Sequence, residues 1–276
     1  MIPKELNGAP VGTSGKIQSA SALEREAHRF RGEGKIDQAF QTFDQAAKIF
    51  QESGEHLKSA VCFASAATCW NIHTGWQPLR NAATRNEFAA VQAFAAKDYA
   101  YAETLFSEAA LLYEKEGDYT KYSYCYVRAK DSRLIRLWRA LTHRHSQGHA
   151  AINLTEVSWG DRATAFLNFF FSALNRGVWG YGEKPFRTLG LAGGIIVMSA
   201  LCYHFSGAIL SDGMPQRIGF LDSLYMSIIT YTTVGYGDFL PLGWVRMVAA
   251  FEALSGIFIT PLFLVALTRR YLRMYR

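Results

Sequence analysis

The chain has 276 residues, of which 19% are charged, and its 29 Lys and Arg against 23 Asp and Glu leave a formal charge of +6; the pI is about 9.1 and the mean hydropathy is close to zero. Those averages hide a split, because residues 1–175 hold 20 of the basic and 18 of the acidic side chains, leaving 9 and 5 for the last 101 positions. Two runs in that second part are long enough and poor enough in charge to cross a bilayer, which excludes a wholly soluble protein; basic residues flanking the runs account for the excess charge, so nucleic acid is not an expected partner.

Residues 1–20 are polar and Gly-rich without the continuous apolar segment of a signal peptide, and are expected to form a flexible N-terminus on the cytoplasmic side. Residues 21–140 have few prolines, many alanines and apolar positions spaced by three and four, which predicts helices. Shifted against itself by 63 positions, this segment places Ala39, Phe43, Ala46, Ala47, Phe50, Gly54, Cys62 and Ala66 on Ala102, Phe106, Ala109, Ala110, Tyr113, Gly117, Cys125 and Ala129. Small residues beside aromatics at helical spacing let one helix nest on the next, and Gly54 and Gly117 suit left-handed helix ends. An array of helical hairpins is the expected outcome. Its period is close to two tetratricopeptide units of ~34 residues, and the segment resembles that family or the related SNAP-type adaptor helices. The resemblance implies a concave surface for a cytoplasmic ligand or protein partner; a domain that only folds, solubilises and assembles the chain is the other reading. Cys62, Cys69, Cys125 and Cys202 are expected to be small buried apolar side chains, not a disulfide framework.

Residues 141–186 are expected to be a linker. It begins with three histidines in seven positions, His143, His145 and His149, which suggest a metal or pH-sensing site by type; no cysteine or carboxylate lies near enough to complete a ligand set, so a solvated segment is expected. Residues 161–174 are dense in Phe and Leu, flanked by Trp159 and Trp179, as in a helix lying at a membrane interface; a core helix packed on the repeats is the alternative.

The first uncharged run, 188–211, has 24 residues, and the second, 247–268, has 22 with one acid, Glu252. Each can cross ~30 Å of hydrocarbon as a helix. Lys184 and Arg187 precede the first, and Arg269, Arg270, Arg273 and Arg276 follow the second, so both outer ends should be cytoplasmic and the intervening loop extracellular. In that loop an apolar stretch too short to span, 219–231, runs into Thr232-Thr233-Val234-Gly235-Tyr236-Gly237-Asp238. A short helix that enters a membrane and returns as extended backbone is tolerated where its carbonyls line a water-filled path. Glycine at alternate positions frees the backbone to turn those carbonyls to one side.

The heptapeptide TTVGYGD is the signature of potassium channels, and residues 180 to 276 resemble the two-transmembrane prokaryotic class. The resemblance implies an all-α pore of four identical chains: outer helix 188–211, re-entrant pore helix 219–231, filter 232–238 and inner helix 243–268. It implies K⁺ sites at the Thr233 hydroxyl and the carbonyls of Thr233, Val234, Gly235 and Tyr236, supported by Thr232, Gly237, Asp238, Tyr225 (or Met226) and Ile229. Ile229 stands where some relatives have Glu, so a Glu-Asp pair behind the filter is not expected. Gly256 and Pro261 are gating candidates, with Ile257, Thr260 and Leu264 facing the cavity; close packing of two helices without a hinge is the alternative at Gly256. Glu252 is expected to face protein, bonded to the filter scaffold or another helix, and His204 to be a packed or interfacial residue. A second Gly-Tyr-Gly, at 180–182, lacks the preceding Thr-Val and is not expected to be a filter.

The sequence thus predicts a K⁺-selective homotetramer in the plasma membrane, with both termini cytoplasmic and a cytoplasmic α-helical repeat domain that regulates it. No cofactor is expected beyond permeant K⁺. An enzyme is not expected, since no nucleophile elbow or phosphate loop is present. A membrane-anchored scaffold with a silent pore is the alternative.

Overall fold

The computed structural model describes residues 11–72, 77–142, 159–211 and 213–274, and the chain divides into two units, residues 1–172 and 173–276. The three linker histidines lie outside the described residues.

The first unit is built from α1 (Val11–Gly32), α2 (Ile36–Glu52), α3 (His56–Ile72), α4 (Pro78–Ala95), α5 (Tyr99–Lys115) and α6 (Tyr119–Leu141), each packed on its sequence neighbour. The sequence repeat is a repeat of structure. Ala39, Phe43, Ala46, Ala47 and Phe50 of α2 are buried, and so are their counterparts Ala102, Phe106, Ala109, Ala110 and Tyr113 of α5; Cys62 and Ala66 of α3 match Cys125 and Ala129 of α6. The repeating unit has a third helix: Ala20 and Ala27 of α1 are fully buried, as are Ala83 and Ala90 of α4, 63 positions on. Residues 11–20, expected to be flexible, therefore begin this helix. Alanine at these contacts lets backbones approach closely, and burial of each Phe ring between them contributes about 1.5–3 kcal/mol. Burial pushes the Cys62 and Cys125 thiols up to about 12, which leaves them unreactive near neutrality.

The helix ends repeat as well. Past α1, α2 and α5, Gly34, Gly54 and Gly117 take left-handed conformations with φ of 74°, 78° and 76°. In each case the next amide reaches back to the last turn, as Glu55 N does to Phe50 O at 2.9 Å and Asp118 N to Tyr113 O at 3.0 Å. Past α4 the same geometry falls on Lys97, with φ 63°. Asp98 and Asp118 then accept hydrogen bonds from the amides of Tyr101 and Lys121, capping α5 and α6.

Helix α7 (Trp159–Trp179) carries Phe166, Leu167, Phe170, Phe171 and Leu174 exposed along one face. Phe169 instead meets Trp138, with ring centroids 5.3 Å apart.

The second unit holds α8 (Pro185–Ser206), α9 (Phe220–Tyr231) and α10 (Val245–Met274), with α8 and α10 both packed on α9 and on each other. Helices α8 and α10 are long and apolar enough to cross a membrane, and only 22% and 11% of their apolar windows are buried within the chain. A core helix of a soluble protein would be mostly buried, so these faces are built for an apolar surround. Helix α8 stops five residues earlier than expected, at Ser206, because Gly207 turns left-handed with φ 61°. The chain then forms a small antiparallel sheet that the hydropathy did not reveal: β1 (Ile209–Ser211) lies between β2 (Met214–Gln216) and β3 (Leu240–Pro241). Strand β3 directly follows the signature heptapeptide, so the sheet ties that segment to the exit of α8.

Candidate functional site

Helix α9 is 12 residues long, about 18 Å at 1.5 Å per residue, far short of the ~30 Å a bilayer requires. Its start is fixed by Ser223, fully buried, whose hydroxyl donates to Gly219 O at 2.9 Å. Its end is closed by the signature segment itself. Thr233 N donates to Thr230 O at 3.0 Å, and the Ile229 carbonyl accepts from both Val234 N at 2.9 Å and Gly235 N at 3.2 Å. The amides of the segment therefore point back onto the helix that precedes them.

The backbone after α9 alternates in hand. Positive φ occurs at Thr233 (60°), Gly235 (52°) and Gly237 (84°), with Val234 and Tyr236 between them on the ordinary side. Alternating left- and right-handed residues turn successive amides to one face and successive carbonyls to the other, so the strand acquires one face of negative partial charge. Two of the three left-handed positions are glycine; at the third, Thr233, a β-branched side chain sits where it is strained. The Gly-Tyr-Gly at 180–182 is a sharp contrast. There all three residues are left-handed, with φ of 57°, 60° and 86°, and they form a buried single turn. The same three letters give a carbonyl-bearing strand in one place and a tight turn in the other.

Around the segment, Thr232 closes α9 with its hydroxyl on Ile228 O at 2.8 Å, and the Thr233 hydroxyl donates to Thr232 O at 2.7 Å. Asp238 accepts from Phe239 N at 3.2 Å and lies beside the Tyr225 hydroxyl, and the Tyr225 and Phe239 rings meet edge to face at 6.2 Å. Between the two residues weighed for the outer end, Tyr225 is the one beside Asp238; Met226 is buried against Tyr203, Ile209, Ile218 and Val245. Ile229 is buried behind the segment. Val234 and Tyr236 are exposed in the single chain.

On α10, Ile257, Thr260 and Leu264 share one exposed face, and Pro261 sits inside the helix, where it leaves the Ile257 carbonyl without its usual amide. Gly256 is buried against α9, and a Cβ there would collide with the Tyr231 carbonyl oxygen. Close packing thus accounts for glycine at this position. Glu252, one turn earlier, is fully buried and meets Tyr203 of α8 and Ser227 of α9. Sequence reasoning singled out the acid but not its partners, which are 49 and 25 positions away; the available signal was Ser227, a small polar residue in the middle of a helix too short to span a bilayer. His204 Nδ1 lies 2.9 Å from Ile218 O, a packed role that holds the loop before α9. Among the described residues, no cluster of His, Cys, Asp and Glu could hold a metal ion.

Comparison with known proteins gives this region a likeness. Residues 191–273 match a family model described as "Ion channel", so the C-terminal part of the chain is similar to ion-channel domains. Protein LctB of Geobacillus stearothermophilus is 38% identical over 81 residues, a stretch that is 29% of this chain and 60% of that protein. The chain thus spans less than two thirds of that relative's length. No solved structure matches the chain.

Proposed function

We propose that this chain forms a potassium-selective channel in which four copies surround one pore, with both termini cytoplasmic, in the plasma membrane. The observation that carries the reading is the alternating backbone hand from Thr233 to Gly237 directly after a half-membrane helix. Four such strands around an axis stack rings of carbonyls, from Thr233, Val234, Gly235 and Tyr236, that replace the hydration shell of K⁺. The Thr233 hydroxyl forms the innermost ring, and the C-terminal end of α9 directs its partial negative charge toward the ion path. Thr232, Gly237, Asp238, Tyr225 and Ile229 hold the strand, and Ile257, Thr260 and Leu264 line the cavity below. The short helix, the alternating hand and the match to an ion-channel family all support this assignment; an anchor for a scaffold needs none of the first two.

Pro261 supplies a soft point in the inner helix. The helical repeats, which resemble tetratricopeptide or adaptor arrays, regulate the pore from the cytoplasm, and the exposed apolar face of α7 rests at the membrane interface. Deleting residues 1–140 leaves a selective pore with a changed open probability; loss of tetramers in that truncation would favour an assembly role for the repeats instead. The filter register is tested by Thr233→Cys, which exchanges the innermost hydroxyl for a thiol. Block of K⁺ flux by Ba²⁺ is expected to weaken in this variant, and unchanged block would place the filter elsewhere.

A further inference from the structure

We infer that Glu252 is a positioning residue for the filter, holding the pore helix α9 against the inner helix α10; the inference rests on the channel reading above. The Glu252 side chain is fully buried. Its Oε2 accepts from the Tyr203 hydroxyl of α8 at 2.6 Å, and its Oε1 accepts from the Ser227 hydroxyl of α9. Ser199 of α8 adjoins the same carboxyl, and Ser227 also lies 2.7 Å from Ile196 O of α8. One carboxyl group thus joins the three helices of the unit.

A second contact stands one turn away on both helices. Gly256 follows Glu252 by four residues on α10, and Tyr231 follows Ser227 by four on α9, where the Gly256 backbone abuts the Tyr231 carbonyl. Residues four apart lie on one face of a helix, so α9 and α10 share a seam with a polar rung at 227 and 252 and a backbone rung at 231 and 256. Between those rungs on α9 is Ile229, whose carbonyl takes the amides of Val234 and Gly235. The seam grips α9 over the turn that carries the filter strand on its carbonyls.

A buried acid is a costly way to fill space, since an apolar side chain of the same volume packs there at less desolvation cost. What it adds is direction: both oxygens are engaged, each by a different helix, which fixes the rotation of α9 and not only its distance. Without that tie the Tyr203 hydroxyl loses its acceptor and the Ser227 hydroxyl keeps only Ile196 O of α8, so α9 is no longer tied to α10 at this rung, it can roll, and the Ile229 carbonyl moves with it.

The test uses the full-length protein in planar bilayers, comparing wild type, Glu252→Gln, Ser227→Ala, Tyr203→Phe and the double variant Glu252→Gln with Ser227→Ala. The readouts are the K⁺ to Na⁺ permeability ratio and the dwell time of Ba²⁺ in the pore, with tetramer yield recorded alongside. Glu252→Gln, which replaces one of the two acceptor oxygens with an NH2 donor, and Ser227→Ala are each expected to shorten the Ba²⁺ dwell about tenfold at unchanged tetramer yield, and the double variant by less than the product of the two, because both act on the same rung. Should Glu252→Gln not assemble, Ser227→Ala and Tyr203→Phe carry the test, each removing one hydroxyl from the rung. Wild-type dwell and permeability in assembled variants, or fully additive effects, overturn the inference while leaving the channel reading in place. A wild-type protein that passes no K⁺-selective current overturns the channel reading and the inference with it.

Discussion

The two units of this chain differ in where they put their large apolar side chains. The first packs alanines and aromatic rings inside, with Phe43, Phe50, Phe106 and Tyr113 enclosed, and sets its buried acid Glu87 beside that apolar core, where it accepts from the Tyr113 hydroxyl and pairs with Lys121. The second buries Thr188, Ser199, Ser223, Ser227 and Glu252 and leaves Phe186, Met198, Phe205, Phe251 and Phe258 outside. The difference follows from the surround each unit meets. In water apolar burial drives packing, whereas between membrane helices the apolar exterior costs nothing and specificity comes from small residues and internal hydrogen bonds. Gly256 against a backbone carbonyl and Glu252 between two hydroxyls are both devices of the second kind.

That contrast predicts how each unit breaks. In the repeat unit, Phe43→Ala and Phe106→Ala each remove a fully buried ring and should destabilise it by about 3–5 kcal/mol. Because the two positions are equivalent, both should lower the same thermal transition of the full-length protein by similar amounts. A large effect at one and a small one at the other would show that the repeats are alike in pattern but not in packing. In the membrane unit the sensitive change is an addition: Gly256→Ala puts a methyl group into the Tyr231 carbonyl, an overpacking cost of about 1–3 kcal/mol or more. Thermal unfolding of the full-length protein in detergent checks it, and wild-type stability would mean that α10 does not lie against α9 as described. The smallest expected effect is a gain. Lys97→Gly relieves the left-handed residue after α4, where the matching turns use glycine, and should raise the stability of the repeat unit by about 1 kcal/mol; no rise in its melting temperature would argue that the Lys97 side chain makes a compensating contact.

Much of this architecture was legible in the sequence because its signals are local. The small-aromatic rhythm of α2 and α5 lies within one or two turns, and the heptapeptide 232–238 is contiguous and preceded by its short helix. Features set by partners distant in sequence were not legible. The Glu252 rung joins residues from three helices, and strands of two or three residues, such as β3, are too short to show an alternation. The first ten residues of α1 read as flexible because their Gly- and Ser-rich sequence has weak intrinsic propensity; the helix is held by packing through Ala20 and Ala27, and the three-helix repeat came into view only with their burial. Alanine pairs 63 positions apart are too common to count as a signal until their environments are known to match.

The most direct test of the account is ion flux. Purified full-length protein in liposomes, with K⁺ or Na⁺ as the permeant cation and with or without Ba²⁺, is predicted to show K⁺ flux well above Na⁺ flux and suppressed by Ba²⁺. Equal K⁺ and Na⁺ flux, or Ba²⁺-insensitive flux, would contradict the assignment of residues 233–236 as a potassium filter.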